Sequence, residues 1–108
     1  MTEIEVIQNG AQASILLGEK LVASDVPNLK LLLKGLIERG SINLVLDCTH
    51  LSLLDSTGIG CLVAAHNSLV KVNGSLSIIQ ASKDIYELLC SMRLDRHIKI
   101  MPLAAAQE

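Results

Sequence analysis

Aromatic residues are almost missing from this chain of 108 residues, since Tyr86 is its one aromatic side chain and neither Trp nor Phe occurs. With a single aromatic side chain, the protein offers almost no surface on which the bases of single-stranded nucleic acid could stack. Basic runs are missing too, and the formal net charge is -2, so the composition argues against direct binding to nucleic acid. Half of the residues (50%) are hydrophobic, and the predicted core consists of Leu, Ile, Val and Ala.

Long apolar runs and targeting signals are absent as well. No stretch approaches the roughly 20 apolar residues that a membrane-spanning helix needs. The first residues lack the basic and then apolar pattern of a leader peptide. Cys48, Cys61 and Cys90 show no paired spacing and have aliphatic neighbours, so each is predicted to be a small buried hydrophobe. We therefore expect one cytoplasmic domain over residues 1–108, with no metal site and no cofactor.

The chain does contain a regular alternation of strand and helix patterns, beginning with a hairpin. Asn9 and Gly10 separate two β-prone runs, and such a pair is typical of a tight turn in which both residues have positive φ. Helix patterns then alternate with apolar strands, which requires crossovers and hence a largely parallel sheet. The predicted elements are strands 4–8 and 12–17, a helix between its cap Ser24 and Gly40, strand 42–46, helix 57–71, strand 75–79, a helix opened by Ser82, and strand 98–100.

Several of these predictions carry further detail. Asp25 is placed in the first turn of the first helix, where the dipole favours an acid. Strand 42–46 is continuously apolar and is therefore expected to be covered on both faces. The resulting fold class is α/β: a single domain with a mostly parallel mixed sheet, an N-terminal hairpin, and helices packed on the sheet.

The most distinctive segment is residues 51–60, where an apolar run gives way to Asp55, Ser56, Thr57 and Gly58 at the start of a helix. Ser56 or Thr57 could be no more than the helix cap. Alternatively, the Ser56 hydroxyl is accessible and accepts a phosphate, which adds about -1.5 to -2 charge. The helix dipole and free N–H groups could hold that phosphate without refolding the domain.

Catalytic constellations are not evident in the sequence. There is no Gly-x-Ser-x-Gly elbow of a serine hydrolase. His66 falls on an apolar helix face and is interpreted as a core or boundary residue, whereas His50 and His97 fall in loops without acids at useful spacing. The Gly58 and Gly60 pair lacks the lysine of a phosphate-binding loop. The chain is therefore predicted not to be an enzyme.

Residues 47–60 resemble the signature of STAS domains, and specifically of bacterial anti-sigma factor antagonists. The outline of that signature is an acid, an apolar residue and a hydroxyl, followed by Asp-Ser-Ser/Thr-Gly-Leu/Ile-Gly. Gly18-Glu19, Gly74 and residues 86–89 fall in register with it, so the resemblance covers nearly the whole chain.

The resemblance implies a partner-switching module. In the family, the serine that matches Ser56 is phosphorylated by a cognate anti-sigma factor that is also a serine kinase. The unphosphorylated form binds the anti-sigma factor and frees the sigma factor; the phosphorylated form lets go, and a PP2C-type phosphatase resets it. The chain alone is expected to be a monomer. In this scheme Thr57 is a candidate cap, and Gly58 and Gly60 allow close approach of the partner. We further expect an exposed patch around Ser56 that includes Leu53, Ile59, Leu21 and Val22, so the predicted partner-binding residues are Leu21, Val22, Leu53, Asp55, Ser56, Thr57, Gly58 and Ile59.

Two positions depart from the family pattern. Val22 stands where many members carry an acid, which leaves contact of this loop with a nucleotide or kinase unsupported. Thr49 replaces the usual serine but keeps the hydroxyl. Two other functions stay open: a STAS subunit of a membrane transport assembly, such as a lipid ABC transporter or a relative of anion transporters, and a scaffold whose assembly phosphorylation controls.

Overall fold

The computed structural model describes residues 5–103, and the first predicted strand, which begins at Ile4, is seen from Glu5 onward. These residues form seven strands and three α-helices. They are β1 (Glu5–Asn9), β2 (Gln12–Leu16), β3 (Lys20–Leu21), α1 (Val26–Glu38), β4 (Asn43–Asp47), β5 (Leu53–Leu54), α2 (Ser56–Lys71), β6 (Ser75–Ala81), α3 (Lys83–Ser91) and β7 (Lys99–Pro102), with a short 3₁₀ helix (Leu94–Arg96) before β7.

The main sheet has five strands in the order β1-β2-β4-β6-β7. β1 pairs with β2 antiparallel, and every other neighbouring pair is parallel. This confirms the predicted α/β class and the antiparallel edge that the hairpin supplies. β3 and β5 form a separate two-stranded parallel ribbon inside segments that the sequence pattern had placed in loops.

The hairpin turn differs from the prediction in its residues. Asn9 pairs with Gln12, so the two central residues are Gly10 and Ala11. Gly10 has φ +66°, whereas Asn9 and Ala11 do not have positive φ. Positive φ at the first central position alone is the pattern of a type II′ turn, not of the I′ turn that Asn-Gly predicts.

One face of the main sheet is buried beneath the helices. Alternate side chains of the central strands form rows across the sheet, such as Ile15, Leu46 and Ile78, and each is fully buried. Together with the apolar faces of the three helices they form one core cluster. The intervening positions, such as Val45, are only half-buried. The expectation that residues 42–46 are covered on both faces is therefore wrong, because β4 alternates as a strand with one covered face does.

The helix ends largely follow their sequence signals. After α1, Gly40 has φ +93° and donates its N–H to Ile37, while Ser41 donates to Leu36, the two bonds of a Schellman motif. Asn73 and Gly74 close α2 in the same way. Ser82 caps α3 by accepting the Ile85 N–H.

The first helix begins differently from the prediction, because its N-cap is Asp25 and not Ser24. As the N-cap, Asp25 lies outside the first turn in which it was predicted. Its Oδ2 accepts the Val22 N–H at 3.1 Å, which stabilises the preceding loop.

No helix within residues 5–103 is long and apolar enough to cross a membrane.

Candidate functional site

The start of α2 is capped by Asp55. Asp55 has extended backbone, and its Oδ1 accepts the Gly58 N–H at 2.8 Å. Asp is as strong a capping residue as Ser, and it occupies the cap position here. The alternative in which Ser56 or Thr57 caps this helix is therefore wrong, because both residues lie inside the first turn.

The second carboxylate oxygen of Asp55 fixes the loop before α1. Oδ2 accepts the Ala23 N–H at 3.0 Å, across 32 positions of sequence. The β3–β5 ribbon supports the same junction, since Lys20 and Leu21 pair with Leu53 and Leu54. One acidic side chain thus joins the loop over residues 22–25 to the helix that carries the candidate site.

Because Asp55 caps α2, the hydroxyls of Ser56 and Thr57 are not used as caps. Ser56 and Thr57 are exposed at the first two positions of α2. Within the described residues, neither side-chain hydroxyl has a hydrogen-bond partner. The first N–H groups of a helix lack intrahelical acceptors and lie at the positive end of its dipole. The Ser56 hydroxyl therefore lies at an accessible point that favours an added anion.

The surface around Ser56 is smaller than the sequence predicts. Leu21 and Ile59 are 1% and 8% exposed, and Gly58 is buried as well, so the expectation that Leu21 and Ile59 are exposed is wrong. Leu21 points into the core from the ribbon, and Ile59 belongs to the buried face of α2. Leu53, in contrast, is 51% exposed.

The predicted site residues therefore fall into two groups. Those that can be reached from solvent are Val22, Leu53, Asp55, Ser56 and Thr57; those beneath the surface are Leu21, Gly58 and Ile59.

The two glycines of the motif have different surroundings. A Cβ on Gly58 would overlap the Leu21 carbonyl oxygen and lie 2.8 Å from Leu54 Cδ1. Gly58 therefore lets α2 pack against the ribbon, and it faces the protein interior instead of a partner. A Cβ on Gly60 would meet nothing within 4 Å, so this exposed glycine leaves open space on the helix surface.

Three described side chains have raised pKa values, and none of them is a predicted site residue. Burial, followed by the nearby Asp47 carboxylate, raises the pKa of the Cys48 thiol to about 12. Burial also raises the pKa of Cys61, with Lys30 opposing it. A hydrogen bond with Cys90 raises the pKa of Tyr86. Cys48 and Cys61 are buried as predicted, but Cys90 is only half-buried.

Two features had no signal in the sequence. The bond between Asp55 and Ala23 depends on the ribbon, whose two-residue strands are too short to show a periodicity. The rings of His66 and His97 lie 6.2 Å apart, although the sequence pattern placed one in a helix and the other in a distant loop.

The departure at Thr49 is conservative: its N–H and hydroxyl both donate to Asp47 Oδ1, forming a local turn.

Comparison with known proteins gives one family and one fold. The family model described as STAS domain matches residues 4–105. A putative anti-sigma factor antagonist from Thermotoga maritima is similar in structure, with a TM-score of 0.85 at 15% identity over 95% of this chain and 89% of its own. No curated protein sequence matches.

Two further structures bear on the alternatives. The Bacillus cell fate determinant SpoIIAA in its phosphorylated form has a TM-score of 0.74 at 17% identity, over 96% of both chains. The murine anion transporter Slc26a9 has a TM-score of 0.67 at 12% identity, over 92% of this chain and 17% of the transporter. At sequence identities of 12% and 17%, the similarity to these two structures shows a shared fold.

Proposed function

Because the chain belongs to the STAS domain family, we propose that it is a phosphorylation-controlled anti-sigma factor antagonist whose modification site is Ser56. In its unphosphorylated form it binds a cognate anti-sigma factor with serine kinase activity and so frees a sigma factor. Phosphorylation of Ser56 ends that binding, and a PP2C-type phosphatase restores it. The domain spans residues 1–108, acts as a monomer and works in the cytoplasm, where the kinase finds ATP.

The observation that carries this proposal is the unengaged, exposed hydroxyl of Ser56 on the first turn of α2. If the Ser56 hydroxyl were the cap, phosphorylation would change the group that accepts the helix N–H. Here Asp55 carries the cap, so a phosphate on Ser56 leaves that bond in place. The modification then changes the surface charge and leaves the fold as it was.

The accessible surface suits a reversible contact. The half-exposed Leu53 and the half-buried Val22 provide apolar atoms on the ribbon and loop that adjoin the start of α2. A phosphate of about -1.5 to -2 charge, buried in an interface without a cationic partner, costs several kcal/mol. Reversing a 1:99 population takes about 5.5 kcal/mol, so one phosphate is of the right order to act as a switch.

The chain acts in this scheme as substrate and ligand and not as catalyst. Both carboxylate oxygens of Asp55 accept backbone N–H groups, which holds this acid in a structural role beside Ser56. Phosphoryl transfer relies on metal ions and positioned charges that bind the nucleotide phosphates. In our proposal the kinase supplies those groups along with ATP and Mg²⁺.

A second candidate function has one observation in its favour. The fold also matches part of an anion transporter, so a STAS subunit in a membrane transport assembly is the alternative. In that setting Ser56 would be an exposed residue that touches a neighbouring subunit and receives no phosphate.

The decisive experiment is phosphopeptide mapping of the purified protein after incubation with ATP, Mg²⁺ and lysate of its native host. We expect one phosphate on Ser56, none on the Ser56→Ala variant, and unchanged modification of Thr57→Ala. Thr57 is the matched control because it offers a second exposed hydroxyl one position along the same turn.

Binding then separates the two functions. Unphosphorylated protein and Ser56→Ala should retain the kinase on an affinity resin, while the phosphorylated protein releases it. Phosphate on Thr57 in place of Ser56 would contradict the assignment of Ser56 as the modification site. An unmodified chain that co-purifies with transporter subunits would contradict the proposed function.

A further inference from the structure

A cavity of about 450 Å³ lies between α1 and α2. Its floor is buried and largely apolar, formed by Leu33 of α1 and by Cys61 and Ala65 of α2. Ala64 and Ser68 complete the α2 wall, so every α2 residue that lines the cavity is small. The small side chains leave room between the two helices. The resulting volume falls within the range of roughly 300–1,000 Å³ that is typical of small-molecule sites.

The α1 wall of this cavity carries two lysines. Lys30 and Lys34 lie one helical turn apart, and both are exposed. Within residues 5–103, neither lysine forms an ion pair with a carboxylate. Lys30 is close enough to Cys61 to lower the pKa of that thiol, against the larger effect of burial. An anionic group in this part of the cavity would therefore meet two ammonium groups that have no acidic partner of their own.

The cavity also has a direction. Glu38 lines it eight positions after Lys30, which at 1.5 Å per residue is roughly 12 Å along the axis of α1. That distance is about the length of an extended chain of ten carbon atoms. The carboxylate of Glu38 repels a second carboxylate, whereas the lysines attract one. A ligand with one anionic end is therefore oriented with that end beside Lys30 and Lys34.

We propose that the cavity between α1 and α2 binds a free fatty acid of medium chain length, with its carboxylate beside Lys30 and Lys34. The aliphatic chain lies on Leu33, Cys61 and Ala65 and extends toward Ile37 and Glu38. Burial of the chain supplies most of the affinity, and the lysines select the charge. None of the lining residues belongs to the predicted partner surface around Ser56, so the site is independent of the proposed function.

The lining residues disfavour other classes of ligand. A cation would be repelled by the two lysines, and inorganic phosphate would leave the apolar floor unused. None of the lining residues is aromatic, so a nucleobase has no ring on which to stack. A partner helix has a diameter of about 10–12 Å and needs a longer trough than these few turns provide.

The test is calorimetric titration of the whole chain with decanoate, together with thermal unfolding. We expect one decanoate per chain and a Tm that rises with decanoate concentration, because binding to the folded state stabilises it. Octanoate, which has two methylenes fewer, should bind about 15-fold more weakly, since each buried methylene contributes about 4-fold. Decanol has the same chain without the charge and should bind about 10-fold more weakly, because it forms no ion pair with either lysine.

Variants of the cavity wall have matched controls on the same protein. Lys30→Ala and Lys34→Ala should each weaken decanoate binding by about 2–5-fold, the range for an exposed ion pair. Lys99→Ala removes an exposed lysine that does not line the cavity and should bind as wild type does.

A second pair of variants tests the shape of the cavity. Ala64→Leu should weaken binding by about 15-fold, because its side chain takes the place of about two methylenes of the ligand. Asn67→Leu adds a leucine at an exposed position of α2 that does not line the cavity, and it should leave binding unchanged. Lys30, Lys34 and Ala64 are all exposed, so these replacements leave the core intact.

Four results would overturn the proposal. The first is the absence of binding up to about 1 mM decanoate. The second is equal affinity for decanoate and decanol, and the third is wild-type affinity in both lysine variants or in Ala64→Leu. The fourth concerns the place of binding: amide NMR shifts should change most at Cys61, Ala64 and Ser68. Changes centred on His66 and Leu94 instead would place the ligand on another face of α2.

Discussion

At the scale of single residues, Asp55 has the largest structural role in the candidate site. Its two carboxylate oxygens accept N–H groups from α2 and from the loop before α1. We expect Asp55→Ala to lower the free energy of unfolding by about 1–3 kcal/mol, the range for a lost cap plus a second hydrogen bond. Urea unfolding measures this change. Thr57→Ala is the control and should stay within about 0.5 kcal/mol of wild type, because its side chain is exposed and unbonded.

The buried thiol of Cys48 makes stability depend on alkaline pH. Its pKa is about 12 in the folded chain against an ordinary value of 9.0. Above pH 9 the unfolded chain releases this proton while the folded chain keeps it, so stability falls as pH rises. The expected loss is about 1 kcal/mol between pH 8 and pH 10.

Urea unfolding in reducing buffer at several pH values tests this dependence. Cys48→Ala should flatten the decline, and the part that remains belongs to Cys61 and Tyr86, whose pKa values are raised in the same direction. An identical slope in wild type and Cys48→Ala would contradict the assignment.

At the scale of elements, the contact between α2 and the β3–β5 ribbon depends on Gly58. A methyl group there overlaps the Leu21 backbone, which cannot rotate away as a flexible side chain can. Gly58→Ala should therefore destabilise the protein by about 1–3 kcal/mol, the usual cost of overpacking. Gly60→Ala is the matched control on the same helix. It should stabilise by about 0.5–1 kcal/mol, because Gly60 has open space around it and Ala is the better helix former.

Thermal and urea unfolding of the two alanine variants, measured side by side, would reveal the difference. Equal effects of both substitutions would mean that helix propensity alone acts at this turn and that the contact with Leu21 is unimportant.

The elements themselves were largely predictable from the sequence, because long periodic segments carry strong signals. The buried stripe of α1 and the close of α2 at Asn73 and Gly74 follow directly from residue spacing. The β3–β5 ribbon cannot be predicted from the sequence, because strands of two residues show no periodicity. The exposure of the residues near Ser56 cannot be predicted either, because it depends on that ribbon and on how α2 packs. Leu21 and Ile59 resemble surface residues of a loop and a helix start until the ribbon and the packing of α2 are known.

At the scale of the whole molecule, the parallel pairing of the sheet follows from topology rules, whereas the strand order and the surroundings of Ser56 depend on contacts across the chain. Strands joined by helices need crossovers and so pair in parallel, but this rule alone does not select the order β1-β2-β4-β6-β7. The approach of His66 to His97 depends on how the segment before β7 packs against α2, and no local pattern encodes that packing. The prediction of Ser56 as the modification site rested on the family resemblance together with the local motif.

The bond between Asp55 and Ala23 has a consequence for how the chain is recognised over its lifetime. Its two ends come from segments that α1 and β4 separate along the chain, so the bond forms only where the chain is folded. A nascent or damaged chain therefore contains the Asp55-Ser56-Thr57 sequence without the surface that surrounds it in the native state. If the proposed partner binds this surface, it binds the folded chain in preference to an unfolded one, because the unfolded chain lacks the bond between Asp55 and Ala23.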